Sequence, residues 1–228
     1  MSAWIANISD LFYKCFIRED RYKLLVSGIG VTIKVSLLAI VIGILIGMLI
    51  AMCNLSQKKP IRLIGGIYTD VIRGTPSVTQ LMIIYFVIFA SVQLDKWIIA
   101  AIAFGVNSGA YVSEIIRAGI LSIDKGQTEA GRSLGLSYRQ TMWLIIIPQA
   151  FKNVLPALVN EMIVLIKETA IIGYIGEQDL TKAAMVIQSR TFDAFMPLLA
   201  AAVIYLALVM LLTFFMNKLE RRLRTNER

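Results

Sequence analysis

Long uninterrupted blocks of apolar residues constrain this chain more than any other feature of its sequence. The first block runs from about Leu24 to Met52 and contains one charged residue, Lys34. An α-helix rises about 1.5 Å per residue, so a block of about 20 apolar residues spans the hydrocarbon core of a bilayer. Hydrophobic residues make up 57% of the 228 residues and the mean hydropathy is +0.73, far above an ordinary globular domain. We therefore expect an all-α integral membrane protein.

About five such blocks can be recognised, and they predict five transmembrane helices joined by loops of very unequal length. Their approximate bounds are Leu24–Met52, Pro76–Val92, Trp97–Arg117, Val154–Ile175 and Phe195–Met216. The longest loop, residues 118–153, is polar, contains several glycines and has a partly helical pattern. We divide the chain into an N-terminal segment, residues 1–23, a transmembrane domain, residues 24–217, that includes this loop, and a basic tail, residues 218–228.

The N-terminal segment has the pattern of an amphipathic helix. Apolar residues recur at helical spacing on one face, with polar side chains largely opposite. The apolar residues are Trp4, Ile5, Ile8, Leu11, Phe12, Cys15 and Phe16. Such a helix either lies in the membrane interface or packs against the other helices, and the pattern favours neither.

Small residues recur four apart in two of the predicted spans. They are Ala39, Gly43, Gly47 and Ala51 in the first span, and Gly105 and Gly109 in the third. Stripes of this kind let two membrane helices approach closely. We expect them to be packing surfaces, and a hinge at these glycines is the alternative.

The distribution of Lys and Arg predicts how the chain is oriented in the membrane. Counting both residue types gives 14 on the side of loop 118–153 and the C-terminal tail and 7 on the other side, with Lys34 and Lys167 inside spans. Because cytoplasmic loops carry the excess of basic residues, we expect the N-terminus outside and the C-terminus in the cytoplasm. Cys15 and Cys53 then lie on opposite faces, so no disulfide is expected.

The sequence also argues against several classes of function. A net charge of +8 would suit nucleic-acid binding in a soluble chain, but here the basic residues cluster at the ends of apolar blocks. There is no His, so no histidine metal site, and no cofactor is expected. The sequence contains no G-x-x-x-x-G-K-[ST] run to hold nucleotide phosphates and, without His, no H-E-x-x-H motif and no histidine-assisted nucleophile. We expect a protein without enzymatic activity that takes its energy from another subunit.

The long loop contains residues at the spacing of a recognisable motif. It reads Glu129-Ala130-Gly131, three residues, Gly135, nine residues, and then Ile145-Ile146-Ile147-Pro148. This pattern predicts a short helix, a break at Gly135, and a second amphipathic helix that runs to Pro148. An exposed helix–turn–helix on a membrane protein is a surface for a cytoplasmic partner.

This segment resembles the EAA loop of ABC-importer permeases, usually written E-A-A, three residues, G, nine residues, I, any residue, L, P. The spacing is the same, with Gly131 in place of the second alanine and Ile147 in place of leucine. Gly131 should loosen the first helix by roughly 1 kcal/mol relative to alanine. The resemblance implies that the loop contacts an ATPase subunit through the motif residues. These are Glu129, Ala130, Gly131, Gly135, Ile145 and Pro148.

Further segments occur in the same order as in these permeases and extend the resemblance over most of the chain. They point to the polar amino-acid permeases of the histidine, glutamine and arginine type. They are residues 72–76 (Ile-Arg-Gly-Thr-Pro), residues 113–120, Pro148-Gln149-Ala150, Leu155-Pro156, Asn160-Glu161 and Lys167-Glu168-Thr169. The resemblance implies a multi-pass protein of a bacterial inner, or only, cell membrane. It also implies two copies of an ABC ATPase subunit, a second permease subunit, identical or homologous, and an extracytoplasmic substrate-binding protein as partners, with membrane lipid around them.

Polar side chains within the predicted spans are the candidates for a substrate pathway, because charge inside a membrane is costly and marks a pathway or an internal ion pair. The candidates are Asn107, Tyr111 and Glu114 in the third span and Asn160, Glu161, Lys167 and Glu168 in the fourth. Residues seven apart share a helix face, so each set forms a polar stripe. Either the two stripes line a cavity for an amino acid, or Lys167 forms a buried ion pair with one of the three glutamates.

The function that these observations favour is a permease subunit of an ABC importer for polar or charged amino acids. It would form the translocation pathway and couple it to a separate ATPase. Two other classes stay open. An ion-driven secondary carrier would hold its coupling site within the spans and need no partner loop, and a membrane scaffold would need no polar stripes.

Overall fold

The computed structural model describes the backbone of residues 9–225 and the side chains of residues 9–218. Over that range the chain forms helices and their connections, without a strand. Residues 9–12 are helical and are followed by a π-helical turn, Tyr13–Ile17, and a 3-10 turn, Arg18–Asp20. The helices that follow are α1 (Tyr22–Asn54), α2 (Lys59–Arg73), α3 (Ser77–Ile83, extended by the π-helical turn Ile84–Ile88), α4 (Lys96–Leu121), α5 (Lys125–Ser133), α6 (Tyr138–Thr141), α7 (Ile147–Glu168), α8 (Leu180–Thr191) and α9 (Phe195–Thr225). A π-helical turn, Met142–Ile146, joins α6 to α7, and a 3-10 turn, Thr169–Ile175, extends α7.

Helices α1 and α4 form the closest pair of the fold because small residues face each other along them. A Cβ added at Gly43 would lie 2.9 Å from Oγ of Ser108, and one added at Gly47 would lie 2.5 Å from Cγ1 of Val112. Gly105 on α4 approaches Cγ2 of Ile42 in the same way. Side chains larger than hydrogen at these glycines would force the two helices apart. The predicted role of the small-residue stripes in packing is confirmed.

Two apolar clusters surround this pair. The larger joins α1, α3, α4 and the end of α7, and its buried side chains are Val35, Ala39, Ile40, Leu81, Ile84, Ile99, Ala100, Ala101, Ala103, Phe104, Leu165, Ile172 and Ile175. The smaller joins the N-terminal segment to α1, α8 and α9, through Cys15, Phe16, Leu25, Leu180, Ala183, Ala184, Ile187 and Ala201. The helices of these two clusters therefore bury one face in the protein, and several of them expose apolar side chains on another face.

The N-terminal segment packs against the rest of the fold. Cys15 and Phe16 are buried in the smaller cluster, whereas Phe12 is half exposed. The structure thus favours packing over a location purely in the membrane interface for this part of the predicted amphipathic helix. Trp4, Ile5 and Ile8 lie outside the described residues.

The apolar helices agree in outline with the prediction of about five spans. Among the described residues, Tyr22–Asn54, Lys96–Leu121 and Phe195–Lys218 are each long and apolar enough to cross a membrane. The fourth predicted block is α7 with its 3-10 turn, which is long enough but carries four charged residues, Lys152, Glu161, Lys167 and Glu168.

The second predicted span is shorter than expected and belongs to a bent pair of helices. Helical structure in this block covers Ser77–Ile88, about 18 Å at 1.5 Å per residue, which is too short to cross a bilayer alone. The preceding residues, assigned to a loop by the sequence analysis, form α2. The axes of α2 and α3 meet at 104°, and the two together count as a possible broken span.

Candidate coupling loop and translocation pathway

The first helix of the long loop ends as its glycine predicts. Asp124 caps α5, with its Oδ1 accepting a hydrogen bond from the Gly126 N–H at 2.6 Å. At the other end the Gly135 N–H donates to the Arg132 carbonyl at 3.0 Å, and the Leu136 N–H donates to the Gly131 carbonyl at 3.1 Å. This is a Schellman cap, which needs a residue with positive φ, and Gly135 has φ +85°. The predicted break at Gly135 is confirmed.

The second helix begins with a capping box and does not stop at the proline. Ser137 and Gln140 exchange side-chain to backbone hydrogen bonds at 2.9 and 3.3 Å. The helix then continues through the π-helical turn into α7, so the prediction that it runs only to Pro148 was wrong. Proline lacks the N–H of a regular helix, and here it is the second residue of α7, separated only by Ile147 from the π-helical turn Met142–Ile146, where the regular spacing of hydrogen bonds is already altered.

Gly131 lies where the two short helices touch. It is buried, and a Cβ at this position would lie 2.7 Å from Cγ2 of Thr141 and 3.0 Å from Cδ1 of Ile145. Thr141 is itself 1% exposed, so its methyl group has little room to move. The glycine therefore allows a close contact between the two helices that an alanine in the same geometry would disturb.

The outer surface of the loop combines charged and apolar side chains. Glu129, Ala130 and Pro148 are exposed. Leu134, beside the glycine turn, is 82% exposed, and Tyr138 is half exposed. Exposed apolar side chains at the tip of a helical hairpin are typical of a surface that another protein covers.

Asn107 is buried and joined to a residue that the sequence analysis did not single out. Its Nδ2 donates to Oε1 of Gln80 on α3 at 2.9 Å. Gln80 is 8% exposed and Asn107 is 4% exposed. A lone amide within the apolar residues of α3 was the signal in the sequence, since a buried amide in a membrane helix needs partners.

Glu161 links α7 to α4. Its Oε1 accepts a hydrogen bond of 2.8 Å from Oγ of Ser108, and its side chain is buried. Glu168 lies seven residues further along, on the same face of α7, and is half-buried. The expected polar stripe of α7 thus contacts α4 at Glu161, and Glu168 continues it along the same face.

Glu114 and Tyr111 lie on α4 closer to the long loop than Asn107. Glu114 forms an ion pair with Arg117, one turn further along the same helix. The Tyr111 ring lies under the guanidinium of Arg73 from α2, with 5.3 Å from Cζ to the ring centroid, a cation–π contact. Charged side chains therefore cluster where α2 contacts the end of α4 that is nearer the long loop.

Asn160 and Lys167 occupy a different face of α7. Both are exposed, and Lys167 forms no ion pair with Glu114, Glu161 or Glu168 among the described side chains. The alternative of a buried ion pair is therefore unsupported within this chain. In the described part of the chain, no group of three or more His, Cys, Asp or Glu side chains is placed to hold a metal ion.

The chain thus combines apolar helices long enough to cross a membrane with an exposed helical hairpin between two helices, and its sequence matches a family of transport proteins. Residues 43–225 match the family described as binding-protein-dependent transport system inner membrane component. The chain belongs to that family.

The chain is also similar to individual proteins over nearly its whole length. It is 43% identical over 205 residues to a protein of Bacillus subtilis (strain 168) named arginine transport system permease protein ArtQ, covering 89% of this chain and 94% of that protein. It is 44% identical over 204 residues to a putative glutamine transport system permease protein, GlnP, of Rickettsia conorii, with 89% and 94% covered. The Escherichia coli (strain K12) glutamine transport system permease protein GlnP is 37% identical over 204 residues, with 88% and 93% covered.

Solved structures show the same fold. A chain from the crystal structure of an amino acid ABC transporter with histidines matches with a TM-score of 0.84 and 43% identity, covering 91% of this chain and 98% of that one. A chain from an inward-facing MetNI methionine ABC transporter matches with a TM-score of 0.73 at 20% identity, covering 87% and 95%, which supports the fold alone. The predicted fold class and the resemblance to polar amino-acid ABC permeases are confirmed.

Proposed function

We propose that this chain is the permease subunit of an ABC importer for polar or charged amino acids. The observation that carries the proposal is the exposed helical hairpin of α5 and α6, placed between two membrane helices and built on the EAA spacing. The names of the similar proteins, for arginine and glutamine transport, support the substrate class. The alternative of an ion-driven secondary carrier finds no support in these comparisons.

The hairpin surface would receive the ATPase subunit. An exposed leucine such as Leu134 gains about 2 kcal/mol when a partner removes it from water, and Glu129 adds a charge on the same hairpin. Two permease subunits, identical or homologous, would bring two hairpins to two ATPase copies. An extracytoplasmic binding protein would deliver the substrate on the opposite side.

The second permease subunit would complete the translocation pathway. Asn160 and Lys167 lie on an exposed face of α7, where a polar group facing lipid would be costly. A second subunit facing α7 would turn this face into the wall of a polar cavity. The orientation proposed is the one predicted by basic residues, with the hairpin and C-terminus in the cytoplasm and the N-terminus outside a bacterial inner membrane.

The polar residues would bind the two charged ends of an amino acid. Lys167 supplies a cation for the carboxylate, and Glu168, the neighbouring half-buried carboxylate, supplies an acceptor for the ammonium group, while Glu161 lies deeper on the inner face of α7. Ser108 holds Glu161 in place through one carboxylate oxygen. Asn107, Tyr111, Glu114 and Asn160 would line the same route.

The proposal is tested by purification and reconstitution. A tagged chain purified from its own membranes should bring a P-loop ATPase with it, and vesicles containing the complex and its binding protein should take up amino acid only when ATP is supplied. Glu129→Ala should lower ATPase copurification and uptake together. The matched control, Glu177→Ala, removes a carboxylate far from the hairpin and should leave both unchanged. Uptake driven by an ion gradient without ATP would contradict the proposal.

A further inference from the structure

The bend between α2 and α3 is determined by the local sequence. We call residues 74–76, Gly-Thr-Pro, the elbow. Pro76 starts α3 with φ −64° and ψ 134°, and the residue before a proline avoids the helical region, so α2 cannot continue into α3. The two helix axes consequently cross at 104°, which leaves backbone carbonyls at the end of α2 without their helical partners.

Gln80 satisfies these carbonyls with a single side chain. Its Nε2 lies 2.7 Å from the carbonyl oxygen of Ile72, 2.7 Å from Oγ1 of Thr75 and 3.2 Å from the carbonyl oxygen of Thr75, so its two hydrogens serve three acceptors and one hydrogen is shared. Both ends of the elbow are thus held by one amide group from the first turn of α3. The elbow angle is fixed by hydrogen bonds as well as by the proline.

The other end of the same amide ties the elbow to α4. Oε1 of Gln80 accepts the 2.9 Å hydrogen bond from Asn107, and the next residue on α4, Ser108, bonds Glu161 on α7. The buried polar side chains thus cross-link three helices at one level. Two of these helices, α4 and α7, lead into and out of the loop that carries the hairpin.

We infer that Gln80 is a positioning residue of the transport cycle, which links the elbow to the helices that flank the coupling loop. This inference rests on the proposed function. When the ATPase moves the hairpin, α4 and α7 move with it, and the hydrogen bond from Asn107 to Gln80 carries the elbow along. The elbow is joined to Arg73, whose guanidinium lies over Tyr111 on α4, so its movement changes the inner part of the candidate pathway. The Arg73–Tyr111 contact and the hydrogen bond from the Tyr68 hydroxyl to the Val106 carbonyl also join α2 to α4. Loss of the Gln80 link should therefore weaken the coupled movement, and part of the ATP would then be hydrolysed without movement of the elbow.

The test compares the amino acid taken up per ATP hydrolysed in reconstituted complexes. Gln80→Met keeps the length of the side chain and removes its hydrogen bonds to the elbow and to Asn107. Uptake per ATP should fall about fivefold or more, since losing even one buried hydrogen bond, worth about 1 kcal/mol, changes a conformational equilibrium by about that factor. The substrate concentration for half-maximal uptake should stay within about twofold, because Gln80 positions the pathway and does not bind substrate. The matched control is Gln188→Met, a half-buried glutamine on α8, which should leave uptake per ATP unchanged.

A second variant separates coupling from assembly. Asn107→Ala leaves the elbow hydrogen bonds of Gln80 intact and breaks only the link to α4, so uptake per ATP should again fall, and the double variant should fall no further than Gln80→Met. If either variant assembles into the complex and shows normal uptake per ATP, the inference is wrong. It is also wrong if neither variant assembles, because Gln80 and Asn107 would then serve folding alone. These outcomes differ from failure of the proposed function, in which the unmodified complex itself would show no ATP-dependent uptake.

Discussion

Replacing Gly131 by alanine sets two opposite effects against each other, and the structure decides which is larger. Alanine in a helix interior is favoured over glycine by about 1 kcal/mol. At Gly131, however, the new Cβ would lie 2.7 Å from the Thr141 methyl carbon and 3.0 Å from its hydroxyl oxygen. Overpacking of this kind costs about 1–3 kcal/mol. The predicted net effect of Gly131→Ala is a loss of up to about 2 kcal/mol in the local stability of the hairpin.

Thr141 is poorly able to relieve this contact. It is β-branched, which restricts its χ1 rotamers, and its hydroxyl donates a hydrogen bond of 3.1 Å to the Ser137 carbonyl. Changing Thr141 to serine removes the offending methyl group and keeps that hydrogen bond. The double variant with Gly131→Ala should therefore recover the stability lost in the single variant, and the alanine then contributes its helix propensity.

Hydrogen exchange of backbone amides in residues 125–147 of the purified complex measures the effect. Gly131→Ala should speed exchange there by up to roughly 30-fold, since 1–2 kcal/mol changes an equilibrium by a factor of 5–30. The control is Gly66→Ala in α2, where a Cβ meets nothing within 4 Å and exchange should slow. If Gly131→Ala slows exchange as the control does, the close contact at Gly131 is refuted. If the double variant stays as labile as the single, the role assigned to the Thr141 methyl group is wrong.

Three further predictions follow from the loop and the pathway. Gly135→Val places a β-branched residue at φ +85°, so ATPase copurification and uptake should fall while membrane insertion is retained; normal values of both would count against the coupling assignment. Ser137→Cys, in a chain from which Cys53 has been removed, should react with an impermeant thiol reagent in inverted vesicles and resist it in intact cells. The remaining cysteine, Cys15, should react only slowly at neutral pH, because burial raises the pKa of its thiol. Lys167→Met should raise the substrate concentration for half-maximal uptake about tenfold, the loss of one charge-assisted hydrogen bond, with assembly intact; an unchanged value would remove Lys167 from the pathway.

The coupling loop could be predicted in detail because its signals are local. A Schellman cap needs a glycine at one position, and Gly135 stands there. The continuation past Pro148 could not be predicted, because a proline after an apolar run signals an end unless the preceding turn is already π-helical. The effect of Gly131 also escaped the sequence analysis, since propensity describes an isolated helix and the contact with Thr141 is tertiary.

Helix α2 was missed for a different reason. Its apolar residues lie on one side and its charged residues, including Lys59, Arg62 and Asp70, interrupt any long apolar block. A search for spans therefore treats residues 59–73 as a loop, although an amphipathic period of 3.6 was present. The role of Gln80 was not predicted either. A single amide in α3 has no recognisable partner in the sequence, because the Ile72 carbonyl comes within hydrogen-bond distance only through the bend.

Residue spacing correctly predicted which side chains of α7 share a face, but it did not predict which helices those faces contact. Residues seven apart do share a face: Glu161 and Glu168 point inward, and Asn160 and Lys167 are exposed. Which face of α7 turns inward depends on contacts with other helices, such as the hydrogen bond from Ser108 on α4 to Glu161, and no spacing within α7 reveals those contacts. An ammonium group exposed this far along a membrane helix is costly against lipid. Lys167 therefore requires a polar neighbour from outside this chain, and the proposed second permease subunit would meet that requirement.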